Sequence, residues 1–299
     1  MILQEKTIML IDYQTFLMYN TNRRNLKMEI VNGMKIYRNV DEIKNILSDN
    51  RKIEQLNLHP IVKDLLLNAD KQKLLANVNN HIAKISNHYF YVKNFCEQAG
   101  IPERGKSHDI SKFSEEELFE SIYFYEGTRS PIDKANEVIG WSPAFAHHIK
   151  YNDHQLENSI YINGGMIKPV EKTLDASIEV VCDFCGAAKA YLGSKFSFVG
   201  ELTWWYDRLK ILELGGTIHP KMAEFITQSL ALCAEKDQMI NYEDFQNIWN
   251  GLHNEQTKAT QFPVADDVLN GPSTNTQSTH TSQIKNEDSI DTPNYDTCL

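Results

Sequence analysis

Apolar residues recur three or four positions apart over most of residues 56–253, and this spacing predicts α-helices. The clearest stripe consists of Val78, His81, Ile85, His88 and Val92. Ser114 and Glu117 have the spacing of a capping box at a helix start, and Gly127 is expected to end that helix.

The later helices are predicted from similar signals. The expected helix starts are Ser142-Pro143, Pro220 and Asn241. The first of these helices is expected to end near Tyr151, and the last is short and ends near Gly251. A further helix is indicated by the stripe of Val170, Leu174, Ile178, Val181 and Cys185. Because the chain has neither a strand–helix alternation nor a glycine-rich phosphate loop, the sequence predicts a mostly α helical bundle.

The two ends of the chain differ from this body. Apolar and polar residues alternate on both sides of Asn32-Gly33, which favours a β-hairpin. Val40–Leu47 is expected to form a short helix. Residues 1–55 are therefore interpreted as a small α/β extension. From residue 254 to 299, Ser, Thr, Pro, Asn and acidic residues replace the helical pattern, so this part is predicted to be a disordered acidic tail. The helical domain then spans residues 56–253.

Charge, apolar run length and cysteine content limit the classes of function that the sequence supports. The 299 residues carry 30 Lys and Arg against 40 Asp and Glu, a formal net charge of −10, which gives no strong signal for nucleic-acid binding. No apolar run is long enough to span a membrane, and the first residues do not form a signal peptide. Five scattered cysteines, two of them in Cys182-x-x-Cys185, fit buried reduced thiols and a cytoplasmic protein.

Histidines and carboxylates carry the candidate chemistry. His108 and Asp109 are adjacent, and imidazole nitrogen with carboxylate oxygen suits divalent metal ions. His147, His148 and His154 fall within eight positions, which indicates either metal ligands or a solvent-facing polar turn. This density of imidazoles is unfavourable in a plain helix.

An acidic series lies four residues apart on one expected helix face: Glu171, Asp175, Glu179 and Asp183. Asp183 lies among apolar residues, so its carboxylate needs a partner, either a metal ion or a buried Lys or Arg. His88 on the apolar stripe is a candidate ligand, whereas His81 is more typical of a hydrogen-bonded core residue.

The order of these residues resembles that of the HD-domain metal phosphohydrolases. The series comprises His88, the His108-Asp109 doublet, His147 or His148 with His154, and Asp183. Lys112, three positions after Asp109, resembles the lysine of bimetal members, which contacts phosphate.

A closer resemblance, over about residues 75–225, is to phage and bacterial proteins catalogued as domain of unknown function 5662. The matching stretches are His81 with His88, residues 108–114, residues 125–131, Ala146-His147-His148, Asn152-Asp153-His154, and Glu179 with Asp183. The family usually has a second histidine after His154, where this chain has Gln155. Because of this departure, the chain has one fewer candidate ligand for a second metal ion.

The resemblance to the HD-domain proteins implies an HD-like bundle and a metal-dependent phosphohydrolase acting on a nucleotide or another small phosphoester, whereas the family of unknown function supplies no established reaction. One or two divalent ions (Mn, Fe, Zn or Mg) are expected on the ligands His88, His108, Asp109, His147, His148, His154 and Asp183. Lys112 and Arg129 would neutralise phosphoryl charge, and Glu179 would orient a ligand histidine. Arg129 also fits a plain surface arginine. The alternative function is a non-catalytic, metal-stabilised interaction module of a phage or mobile element.

Overall fold

The computed structural model describes residues 29–259 and confirms the mostly α fold. The helices of this range are α1 (Val40–Leu47), α2 (Asn50–Glu54), α3 (Pro60–Leu67), α4 (Lys71–Gln98), α5 (Pro102–Ser107), α6 (Glu115–Phe124), α7 (Pro131–Ile139), α8 (Pro143–Tyr151), α9 (Leu174–Leu192), α10 (Phe198–Leu214), α11 (Pro220–Lys236) and α12 (Tyr242–Ala259). The strands are β1 (Glu29–Val31), β2 (Met34–Ile36), β3 (Ile160–Asn163) and β4 (Met166–Pro169). Within the described range, no helix has the length and apolar composition to cross a bilayer.

The predicted N-terminal hairpin and its following helix are confirmed. Strands β1 and β2 pair antiparallel around Asn32 and Gly33, whose positive φ angles of 50° and 80° suit a tight hairpin turn. Ile36 then forms an antiparallel bridge to Ser114, and the Tyr37 amide donates to the Phe113 carbonyl at 2.8 Å. The extension is thereby attached to the chain that leads into α6.

A second hairpin, which the sequence analysis did not predict, separates α8 from α9. Strands β3 and β4 pair around Gly164 and Gly165, which have φ angles of 58° and 84°. Val170 follows this hairpin and lies outside the helix to which we assigned it. Helix α9 instead begins at Leu174, because the Thr173 side chain accepts a hydrogen bond from the Ala176 amide.

The last helix is longer than predicted. Helix α12 does not end near Gly251 but continues to Ala259, so the first six residues of the predicted tail are helical. Leu252 packs against the hydrophobic core, and the ring of His253 stacks on Trp249 and donates to its carbonyl at 2.7 Å. These contacts outweigh the low helix propensity of one exposed glycine. Residues 260–299 of the predicted tail, and residues 1–28, lie outside the described range.

Helix α4 belongs to two hydrophobic cores. Its first half, including Val78 and Ile85, packs with residues of α1 and α6. Its second half, including Val92, packs with α9, α11 and α12. His88 lies between Ile85 and Val92, so it occupies the point where the two cores meet.

Two glycines allow other helices to approach α4 closely. A Cβ atom on Gly186 of α9 would clash with the side chain of Val92 and lie 2.9 Å from its backbone nitrogen. A Cβ atom on Gly105 of α5 would lie 2.7 Å from Cβ of Cys96. Because these positions lack side chains, the end of α5 and the middle of α9 lie against the C-terminal part of α4.

The cysteines of the described range behave as predicted. Cys96, Cys182, Cys185 and Cys233 are all buried and free. Burial raises the pKa of the Cys185 thiol well above its ordinary value, so the thiol stays protonated. The two thiols of Cys182-x-x-Cys185 therefore pack in the hydrophobic core as part of α9. Cys298 lies outside the described residues.

Candidate metal centre

The His108-Asp109 doublet lies at a break in the helical structure. Helix α5 ends at Ser107, and Asp109 has a left-handed backbone with φ 52° before a short 3-10 turn over Ile110–Phe113. This conformation is unfavourable for residues other than glycine. Here it turns both side chains inward, where each residue is only 2 % exposed.

Four side chains converge on one point beside α4. Nε2 of His88 lies 3.1 Å from Nε2 of His108, 3.0 Å from Oδ2 of Asp109 and 3.1 Å from Oδ1 of Asp183. Nε2 of His108 lies 3.1 Å from Oδ2 of Asp109 and 3.2 Å from Oδ1 of Asp183. Ligands at right angles around a cation with bonds of about 2.1 Å lie about 3.0 Å apart. The four atoms therefore have the spacing of ligands to one ion.

A second group of ligand atoms lies on the other side of the same carboxylates. Oδ1 of Asp109 is 3.3 Å from Nε2 of His148 and 3.5 Å from Nε2 of His154. Oδ2 of Asp183 is 3.5 Å from Nε2 of His154. The amide nitrogen of Gln155 lies 2.8 Å from His154 Nε2 and 3.4 Å from Asp183 Oδ2. Asp109 and Asp183 thus face both groups.

Glu179 orients two of the histidines. Its Oε1 accepts a hydrogen bond from Nδ1 of His108 at 2.8 Å and lies 3.1 Å from Nδ1 of His154. Burial opposes ionisation of Glu179, but these two histidines outweigh it and lower its pKa. Arg104 pairs with the other carboxylate oxygen. Because Nδ1 of each ring faces Glu179, Nε2 faces the aspartates, and in the neutral ring its lone pair would be available to a metal ion.

Glu117 orients a third histidine, a role that the sequence analysis missed. We assigned Glu117 to a capping box, and Ser114 Oγ does accept from its amide at 3.3 Å. The Glu117 carboxylate, however, does not return to the helix start. It lies 2.8 Å from Nδ1 of His148 and 2.8 Å from Nδ1 of His147, some 30 residues along the chain.

Two predicted site residues lie apart from the two groups. His147 shares Glu117 with His148, but its Nε2 lies 3.8 Å from Oε2 of Glu116 and contributes to neither group. It leaves α8 in a different direction from its neighbour. Arg129 pairs with Glu126 at 3.2 Å and with Glu137, so these partners hold it at the surface.

Lys112 lies beside the first group of ligand atoms. Its Nζ is 2.6 Å from Oδ2 of Asp109, and its side chain is about a quarter exposed. Burial alone would raise the pKa of Asp109, but the charges of His108 and Lys112 outweigh it and hold that pKa well below its ordinary value. Asp109 is therefore an ionised carboxylate.

The charges of the cluster fit a divalent cation. Its buried carboxylates are Asp109, Asp183, Glu117 and Glu179, and its cationic partners are Lys112 and Arg104. Burial opposes protonation of His108 and His154, but the neighbouring carboxylates outweigh it and raise the pKa values of both rings, so without a metal ion two imidazolium charges balance the cluster. A divalent cation would supply the same two positive charges in place of those protons. In the described part of the chain, Oδ1 of Asp109 and Oδ1 of Asp183 are buried and accept no hydrogen bond. Buried acceptors of this kind, next to imidazole lone pairs, are suited to a metal ion.

A sequence family covers this region. The model of a family of unknown function, DUF5662, matches residues 72–232, which is more than half of the chain. The chain belongs to DUF5662. The matched range runs from α4 into α11, so this family member carries both groups of ligand atoms within the shared region. Neither a curated protein nor a solved structure matches the chain.

Proposed function

We propose that the chain is a metal-dependent phosphohydrolase that acts on a nucleotide or another small phosphoester. The observation that carries this proposal is the convergence of His88, His108, Asp109 and Asp183, whose His–His and His–carboxylate distances are 3.0–3.2 Å. The order of these residues along the chain also resembles that of the HD-domain metal phosphohydrolases.

The residues that contact the candidate ligands also support a metal site. A divalent cation bound there would lower the pKa of a bound water and polarise a phosphoryl oxygen. Glu179 and Glu117 hold His108, His154 and His148 by their Nδ1 atoms, so the rings need no reorientation when the cation binds.

Lys112 is placed to bind phosphate. Its ammonium contacts Asp109, keeps partial exposure, and lines a cavity together with His88 and Asp183. A phosphoryl oxygen in that cavity would accept a charge-assisted hydrogen bond from Nζ, and the bond would strengthen as negative charge develops. Lys112 is the best candidate for a residue that contacts substrate.

The same cavity favours an enzyme over the non-catalytic alternative. Structural metal sites are closed by protein ligands, whereas catalytic sites keep an open side for water and substrate. His88, His148 and Asp183 all line the cavity, which gives a ligand access to both groups of atoms.

Metal analysis of purified protein tests the proposal. The wild type should contain bound metal, and Asp109→Ala should lose it. Asp207→Ala, at an exposed position of α10, is the matched control and should keep it. Assays with nucleoside monophosphates and p-nitrophenyl phosphate in Mn, Fe or Zn should then show turnover by the wild type and by the control.

Two results would contradict the proposal. Equal metal content in the wild type and Asp109→Ala would show that these residues do not form a metal centre. Bound metal without turnover of any phosphoester would favour the non-catalytic interaction module.

A further inference from the structure

A cavity of ≈ 90 Å³ begins at the metal centre and extends along α4. A single water needs about 10–15 Å³ of such space, so the cavity has room for several non-hydrogen atoms. His88, His148 and Asp183 lie at one end, and His81 lines it further along. Its remaining wall is mostly apolar and includes Ile85, Pro131, Ile132, Ala144 and Ala187.

His81 is a buried polar residue without a hydrogen bond. The residue is only 4 % exposed, and neither ring nitrogen has a hydrogen-bond partner within residues 29–259. Its ring packs against Tyr125 with 4.9 Å between centroids. The sequence indicated a hydrogen-bonded core histidine, and the structure corrects this. Leaving a buried polar group unsatisfied is unfavourable, so a ligand that supplies the missing partner would bind more tightly.

The surroundings of His81 decide which partner it suits. Burial and the nearby Lys112 ammonium lower the pKa of His81 to about 3, so the ring is neutral at physiological pH. A neutral imidazole offers one donor and one acceptor. It is therefore suited to a hydroxyl, an amide or a ring nitrogen, and not to a second phosphate group.

The spacing along α4 sets the size of the ligand. His81 and His88 are seven residues apart on one helix face, which corresponds to about 10 Å. Lys112 lines the same cavity and contacts Asp109. A phosphoryl group at the metal centre would thus leave its organic group to extend along the apolar wall toward His81.

We propose that His81 is a specificity-determining residue that hydrogen-bonds the uncharged organic group of a phosphomonoester, of the size and polarity of a nucleoside or a sugar. This inference rests on the proposed function, because the metal centre binds the phosphoryl group. It adds that the site distinguishes phosphomonoesters by a hydroxyl or ring nitrogen about 10 Å from the metal ligands.

Calorimetric titration of the metal-loaded full chain tests this. The probes are adenosine monophosphate, glucose 6-phosphate and inorganic phosphate. The wild type should bind at least one organic phosphate about tenfold more tightly than inorganic phosphate. His81→Leu should abolish this preference without changing metal content or phosphate affinity. His81→Asn, which keeps a donor and an acceptor, should recover part of it.

His219→Leu is the matched control, since Nδ1 of His219 is also buried without a partner in the described range, yet the residue does not line the cavity. It should keep the wild-type preference. The inference is overturned if no organic phosphate binds the wild type more tightly than inorganic phosphate, or if His81→Leu keeps the preference. A His81-dependent preference without turnover would overturn the hydrolase alone, and a wild type without bound metal would overturn both.

Discussion

Oε1 of Glu179 lies 2.8 Å from Nδ1 of His108, although 71 positions separate the two residues in the sequence. The carboxylate is buried in α9, and Arg104 compensates its charge from the other side. Through this contact Glu179 determines which nitrogen of His108 faces Asp109 and Asp183.

Replacing this carboxylate should weaken metal binding. Glu179→Gln removes the negative charge that makes the histidine rings stronger ligands, and we expect metal affinity to fall about 10–100-fold. Asp175→Asn, one turn earlier on α9 and exposed, should leave the affinity unchanged. Competition with a chelator measures both values, and equal affinities in the two variants would contradict the assigned role.

The adjacent histidines of α8 should behave differently. Nε2 of His148 lies 3.3 Å from Oδ1 of Asp109, whereas Nε2 of His147 lies near Glu116. His148→Ala should therefore reduce the number of ions bound per chain, and His147→Ala should not. Elemental analysis after dialysis gives the two stoichiometries. A loss of metal in both variants would show that His147 also supports the site.

Helix contact at Gly186 should be essential for stability. A methyl group there would clash with Val92, so Gly186→Ala should destabilise the fold by about 2 kcal/mol or more. Gly251→Ala is the matched control, because an added Cβ meets no atom within 4 Å and alanine favours helix by up to about 1 kcal/mol. Urea unfolding midpoints should move in opposite directions. An unchanged unfolding midpoint for Gly186→Ala would argue against the close approach of α9 to α4.

Glu120 should make stability depend on pH. Burial raises its pKa to about 7 from the ordinary value of 4.5, although Ser142 and the Ala144 amide donate to its oxygens at 2.6 and 2.9 Å. A group whose pKa is raised by folding stabilises the protein below its unfolded pKa and loses that contribution as pH rises through the folded pKa. The stabilising contribution of Glu120 is therefore lost as the pH rises from about 4.5 to about 7.

The comparison with Glu120→Gln isolates this effect, since the amide does not titrate. The difference in unfolding free energy between wild type and Glu120→Gln should fall by about 3 kcal/mol over that pH range. Urea titrations at several pH values measure it. A difference that is constant with pH would show that Glu120 titrates at its ordinary value.

Several elements could be predicted from local signals in the sequence. Ser114 caps α6 and Ser142 caps α8 as predicted, because a cap is a contact between neighbours in the chain. The β3–β4 hairpin also had a local signal, the pair Gly164-Gly165, which the sequence analysis overlooked.

Contacts between distant residues were harder to predict. The sequence placed Glu117 at a helix start, but its side chain contacts histidines that tertiary packing brings to it. It also gave no reason to choose between His147 and His148, since their directions depend on how α8 packs. Arg104, the partner of Glu179, had no local signal at all.

The position of Asp109 has a consequence for how ions would fill the centre. Its Oδ2 faces His88 and His108, while its Oδ1 faces His148 and His154. An ion on one side would draw electron density from a carboxylate that the other side shares. Occupancy should therefore be sequential and anticooperative, with the first ion bound tightly and the second exchanging at higher concentration.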